Sequence, residues 1–147
     1  MARTRRKLKG RREYGGFILL PNALYDNPAF CELSPSALKI LLGIMRQYRG
    51  NNNGDLSASF VQARKWGIGS KSSLASALTQ LLDIGFIIRT REGVFINPGG
   101  RCALFALAWM PIDDCPGKSL EVGPTITPPL KLSLINNKMP GTASVPG

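Results

Sequence analysis

Between Ser34 and Tyr48, Leu38, Leu41, Leu42, Met45 and Tyr48 recur at helical spacing on one face. Ser34 suits the N-cap, Pro35 the first helical position and Gly50 the stop, so the pattern predicts a helix packed on a core. Ile40 and Ile44 stand off that face and either widen the core contact or form a dimer surface. A second helical period opens at Ser70. On a wheel of about 100° per residue, Leu74, Ala77, Leu78, Leu81 and Leu82 gather on one side. Ser72, Ser76, Thr79 and Asp83 gather on the opposite side, with Ser73 and Gln80 on a flank. Between these two patterns, "LSASFVQARKWG" predicts a shorter helix capped by Ser57 or Ser59. Phe60, Val61 and Trp66 are available for its core contact and Gly67 ends it.

The remaining segments are shorter. "GFILLP" reads as a strand or extended lead-in, and "NALYDNPAF" as one short helix with Asn22 at its N-cap, limited by Pro28. "NNNGD" is a turn-rich link. After Gly85, "FIIRTREG" and "RCALFALAW" have strand composition. The second alternates Cys102, Leu104, Ala106 and Ala108 against Ala103, Phe105, Leu107 and Trp109. "GVFINPGG" between them suits a hairpin loop. From Pro111 onward seven Pro and four Gly interrupt any period, so a disordered tail is expected there. These segments divide the chain into 1–16, an arm; 17–110, a mainly α domain with a β-hairpin, hence α+β; and 111–147, a Pro/Gly-rich tail.

Charge changes this picture at the front. The chain carries a net +10, with 19 Lys and Arg, 9 Asp and Glu and no His. Arg3, Arg5, Arg6, Lys7, Lys9, Arg11 and Arg12 face Glu13 alone in the first 16 residues. A block of like charge this dense cannot bury and is expected to stay disordered until it meets a polyanion. Nucleic acid is favoured over an anionic membrane, because Leu8 is the only large aliphatic residue between Met1 and Tyr14. A solubilising or targeting tail is the plainer alternative.

The helix from Ser70 gives the charge a partner. Its free face is short-chained and nearly uncharged, unlike the Glu- and Lys-rich faces that water alone selects. Ser70 and Lys71 stand at its start, where unpaired N–H groups and the helix dipole favour a phosphate. With the preceding helix and a Gly-containing turn it makes a helix-turn-helix unit. The expected DNA contacts are therefore Arg3, Arg5, Arg6, Lys7, Arg11 and Arg12 of the arm, and Arg64 and Lys65 of the shorter helix. Ser70, Lys71, Ser72, Ser73, Ser76, Thr79 and Gln80 follow on the next helix, with Arg89, Arg91 and Arg101 on the hairpin. Gln80 alone offers a bidentate pairing with adenine, so base discrimination by the helix is expected to be modest. About six cations on phosphates predict a log-log salt slope on the order of −5.

"LSPSALKILL", "RQYRGNNNGDLS", "SKSSLASALTQLLDIGFI" and "LFALAWMPIDDCPGK", within residues 17–118, resemble small bacterial winged-helix proteins of prophages, plasmids and other integrated elements. More distantly they look like the DNA-binding front part of phage replication proteins. The resemblance implies a winged helix-turn-helix fold with Ser70 to Leu82 as the recognition helix and the hairpin as the wing. "REGVFINPGGR" is longer than the short Gly-rich wing such proteins lead one to expect.

Little points to catalysis. With no His there is no imidazole base, Asp113 and Asp114 lack a third acid, and no phosphate-binding GxxxxGK[ST] loop occurs. Cys31, Cys102 and Cys115 are widely spaced and form no metal-binding pattern, and neither a signal peptide nor a membrane span is visible. The expected protein is cytoplasmic and bound to the bacterial nucleoid, without cofactor, metal or membrane partner. Its partner is duplex DNA, bound as a monomer or a homodimer. The role is transcriptional regulation of a mobile element, or origin binding with "TPPLKLSLI" of the tail recruiting a replication protein, or an RNA- or protein-binding module.

Overall fold

The computed structural model describes residues 16–94 and 100–131. They form an α+β arrangement of α1 (Asn22–Tyr25), α2 (Pro28–Cys31), α3 (Pro35–Arg46), β1 (Leu56–Ser57), α4 (Phe60–Lys65), α5 (Lys71–Ile84), β2 (Ile87–Arg91) and β3 (Leu104–Leu107). The arm, the hairpin loop at 95–99 and the tail from 132 lie outside the described residues.

Local chemistry accounts for most boundaries. Ser34 caps α3, its Oγ accepting the Ala37 N–H at 3.1 Å, and Pro35 takes the first position. Ser59 and Gln62 form a reciprocal capping box on α4. Ser70 caps α5 and Gly85 ends it with φ +93°. The expected single helix at "NALYDNPAF" is instead two one-turn helices. Pro21 precedes α1 without a side-chain cap, so Asn22 is not its N-cap. Pro28 holds Asn27 extended and starts α2, with Asn27 Oδ1 accepting the Ala29 N–H at 2.8 Å.

The end of α3 differs as well. Helix ends at Arg46, four residues before Gly50, because Gln47 turns onto β1: its Nε2 donates to Gly43 O and Ser57 O while its Oε1 accepts the Ser57 N–H. Ile40 and Ile44 are fully buried, so they belong to the core and offer no dimer surface. Val61, expected in the core, is 70% exposed on α4. Trp66 packs across Gly43, where any Cβ would overlap the indole.

The sheet is antiparallel in the order β1-β3-β2. β1 is two residues long, too short to show a period, and exists through Leu56 facing Phe105 and Ser57 facing Leu104. The β2-β3 ladder runs from Ile87 facing Leu107 to Arg91 facing Leu104, with a bulge between Arg89 and Arg91. The bulge leaves Thr90 buried, its Oγ1 donating to Gly54 O at 2.6 Å.

All four β3 residues are buried. Phe105 and Leu107 join the core made by α3, α5, Leu24, Leu56 and Phe86. Leu104 and Ala106 point to the other face. That second face is enclosed because the chain after β3 returns over the domain rather than leaving it. Ile112 is buried, Glu121 N donates to Thr90 O, Thr125 N to Ile112 O and Leu130 N to Ala108 O. Contacts with the domain expected to end at 110 thus continue to Leu130. Asn53, taken in the sequence as part of a turn, is the fastening. Its buried Nδ2 donates to Leu107 O, Met110 O and Pro111 O, and its Oδ1 accepts the Leu107 N–H at 2.7 Å.

Candidate nucleic-acid interface

α4 and α5 are joined by a turn in which Trp66 caps α4, Gly67 adopts φ +93° and Ser70 begins α5. Trp66, clamped on Gly43, fixes this turn against α3, while Leu74, Ala77 and Leu81 bury the inner face of α5. Outward, Ser72, Ser76, Thr79 and Asp83 are exposed, and Ser73 and Gln80 are half-buried on the flank. The wheel read from sequence is thus reproduced in space.

Three serines at the start of α5 are partly committed to one another. Ser70 Oγ accepts the Ser73 N–H at 3.1 Å and lies 2.9 Å from Ser73 Oγ and 3.1 Å from Ser72 Oγ. Ser70 is accordingly a cap. Gln80 is also engaged: its Oε1 accepts the Ser34 N–H at 3.2 Å. This bond orients the amide with NH2 as its free end and leaves Oε1 one further lone pair.

The two flanks of α5 differ in character. Toward α2 and α3 lies an open groove of about 810 Å³, lined in part by Ser34, Ser36, Ser76, Thr79 and the carboxylates Glu32 and Asp83. Toward α4 and the hairpin lies an apolar cleft of about 520 Å³ with Phe60, Leu78 and Phe105 in its wall and Lys71 and Arg89 at its edge. Arg64 and Lys71 both lie 5.9 Å from the centre of the Phe60 ring, within cation-π range. Arg64, Lys65 and Lys71 are exposed, and among the described residues none of them forms an ion pair.

The hairpin arginines behave otherwise. Arg89 pairs with Glu92 at 3.5 Å and lies over the Phe105 ring. Arg91 donates to Cys102 O through Nε and Nη2 and to Lys118 O through Nη1, at 3.3, 2.7 and 3.0 Å. Arg101 pairs with Glu121 at 3.7 Å, and the same carboxylate accepts the Glu92 N–H at 3.2 Å. Arg91 is a brace of the fold, and Arg101 and Arg89 each meet a carboxylate. Arg3, Arg5, Arg6, Lys7, Arg11 and Arg12 lie outside the described residues.

One cation escaped the sequence reading. Lys39 is exposed on α3, one turn before Gly43, and its side chain lies across Gly67, whose missing Cβ would fall 2.8 Å from the ammonium. Nothing in the local sequence links residues 39 and 67. Only the α3-α4 packing does.

No group of three or more potential metal ligands occurs among the described residues. No helix there is long and apolar enough to cross a membrane. Burial, reinforced by the carboxylates of Asp55, Asp113 and Asp114, pushes the Cys115 thiol up from its ordinary value; burial and then Asp113 do the same for Tyr48. Comparison of the chain with protein-family models, curated proteins and solved structures gives no match.

Proposed function

We propose that this chain binds duplex DNA through a winged helix-turn-helix, with α5 lying in the major groove, and that it acts as a regulator of transcription. The observation that carries this reading is the outer face of α5. Ser72, Ser76 and Thr79 present small hydroxyls with no charge before Asp83, directly after a turn flanked by the exposed cations Arg64, Lys65 and Lys71. Small polar side chains let a helix approach base edges closely, while neighbouring cations meet the phosphates.

The order helix, strand, helix, helix, strand, strand with the sheet order β1-β3-β2 supports the same reading. So does the basic arm, which is suited to an adjacent minor groove. A replication role leaned on "TPPLKLSLI" being free to recruit a partner, yet Leu130 within it packs on the core.

The test is selection from randomised DNA duplexes by the full chain at near-physiological salt. Enrichment of a defined motif, lost when Ser76→Asp and Thr79→Asp place carboxylates on the outer face, is the expected result. Equal competition by structured RNA, or no retention of duplex, would overturn the proposal.

A further inference from the structure

In a winged helix the hairpin is the obvious second grip on DNA, and here its three arginines invite that role. Their surroundings argue against it. Arg91 is spent on two backbone carbonyls, one of them Lys118 O from the returning segment. The carboxylate of Glu121, from the same segment, faces Arg101 and the Glu92 N–H, which is where a phosphate oxygen would have to sit. Arg89 has Glu92 beside it. Any phosphate arriving at this hairpin meets Glu92 and Glu121 together with the cations.

The opposite balance holds around the α4-α5 turn. Lys39 crosses Gly67, Arg64 and Lys65 occupy the last turn of α4, and Lys71 opens α5. Arg64 and Lys71 are drawn to the same Phe60 ring. All four cations are exposed, and among the described residues none has a carboxylate partner. The dipole of α4 accounts for Arg64 and Lys65 at its C-terminal end. It does not account for Lys39, which sits in the middle of α3 and adds to the repulsion.

We infer that Lys39, Arg64, Lys65 and Lys71 form one phosphate-binding ridge, contributed by three helices, and that the hairpin arginines make no phosphate contact. This rests on the duplex-DNA reading above and adds to it the path of the backbone. One DNA strand tracks the ridge past the start of α5. Glu32 and Asp83, lining the groove on the far flank, keep the phosphates from that side. The partner is a duplex gripped through the phosphates of one strand along one edge of α5, with no second grip from the hairpin.

Counterion release gives a direct readout, since each phosphate contact removed lowers the steepness of log Kd against log salt by about 0.9. The full chain would be titrated with a mixed-sequence duplex over a range of salt, unaltered and as two double variants. Lys39→Gln with Lys65→Gln is expected to reduce the slope by about 2 and to leave the melting temperature unchanged, because both side chains are exposed and, among the described residues, form no ion pair. Arg89→Gln with Arg101→Gln is expected to leave the slope where it was. A hairpin double variant that loses as much slope as the ridge variant overturns the inference, and so does a ridge variant with no loss. In both cases duplex binding itself survives. An unaltered chain that binds no duplex at low salt removes the functional proposal, and the ridge with it.

Discussion

Asn53 shows how a side chain that reads as loop material can hold a fold together. Its amide meets one N–H and three carbonyls around the end of β3, and its backbone exchanges hydrogen bonds with Asp113. Removing the side chain strands several buried polar groups, each of which costs about 1 to 3 kcal/mol when left unpaired. Asn53→Ala should therefore lower the unfolding free energy by about 3 kcal/mol or more in urea titration. A loss below about 1 kcal/mol would mean that water replaces the amide. The sequence could not flag this residue, because Asn in "NNNGD" is equally at home in an exposed turn. Ser34, Ser59 and Ser70 were legible for the opposite reason: an N-cap is satisfied within three residues of itself.

At the scale of elements, α3 and α5 were visible in the chain because each carries its own period and a serine cap, and α4 because a serine cap and Gly67 bracket it. β1 was not, since two residues have no period and pair only through β3. The α3-α4 junction was hidden too. Gly43 looked like an ordinary interruption in a helix, yet the Trp66 indole occupies the space of its missing Cβ. Gly43→Ala would raise intrinsic helix propensity by about 1 kcal/mol, but overpacking against the indole costs typically 1 to 3 kcal/mol and should win. The expected outcome is a lower melting temperature with a red-shifted, more exposed Trp fluorescence. A stabilised variant would show that Trp66 does not need its place on α3. If the chain binds duplex DNA as proposed, the loss should carry over to that binding, since this contact holds the α4-α5 turn against α3.

Over the whole molecule, the returning segment is the main departure from the pattern of the chain. Residues 111–131 have no strand or helix, but they cover the second face of β3, pair Lys118 with Asp55 and hold Arg91 and Arg101. A chain cut after Met110 should expose that face, unfold at lower denaturant than the full chain and associate on standing, whereas one cut after Lys131 should match the full chain. Equal midpoints for both truncations would show that the segment adds nothing to stability. Of the candidate interface, the sequence found the hydroxyl face of α5 and the cations Arg64, Lys65 and Lys71. It gave no sign that the hairpin arginines meet carboxylates and carbonyls or that Lys39 lies across Gly67, because charge is legible in a sequence while the partner that neutralises it is not.

The chain by itself determined what short-range physics controls. The helical period selects the buried face of α5 and part of that of α3, serine caps start both helices and Gly85 ends α5, and the charge pattern separates the basic front from the balanced end. Tertiary structure decided what depends on residues far apart in sequence. It buried Ile40 and Ile44, created β1, drew 111–131 over the sheet and turned Asn53 into a fastening. It also sorted equivalent arginines into internal braces and free cations. The division has one cause: a period or a cap is completed within a few residues, whereas burial and charge pairing depend on which distant segment arrives at the other side.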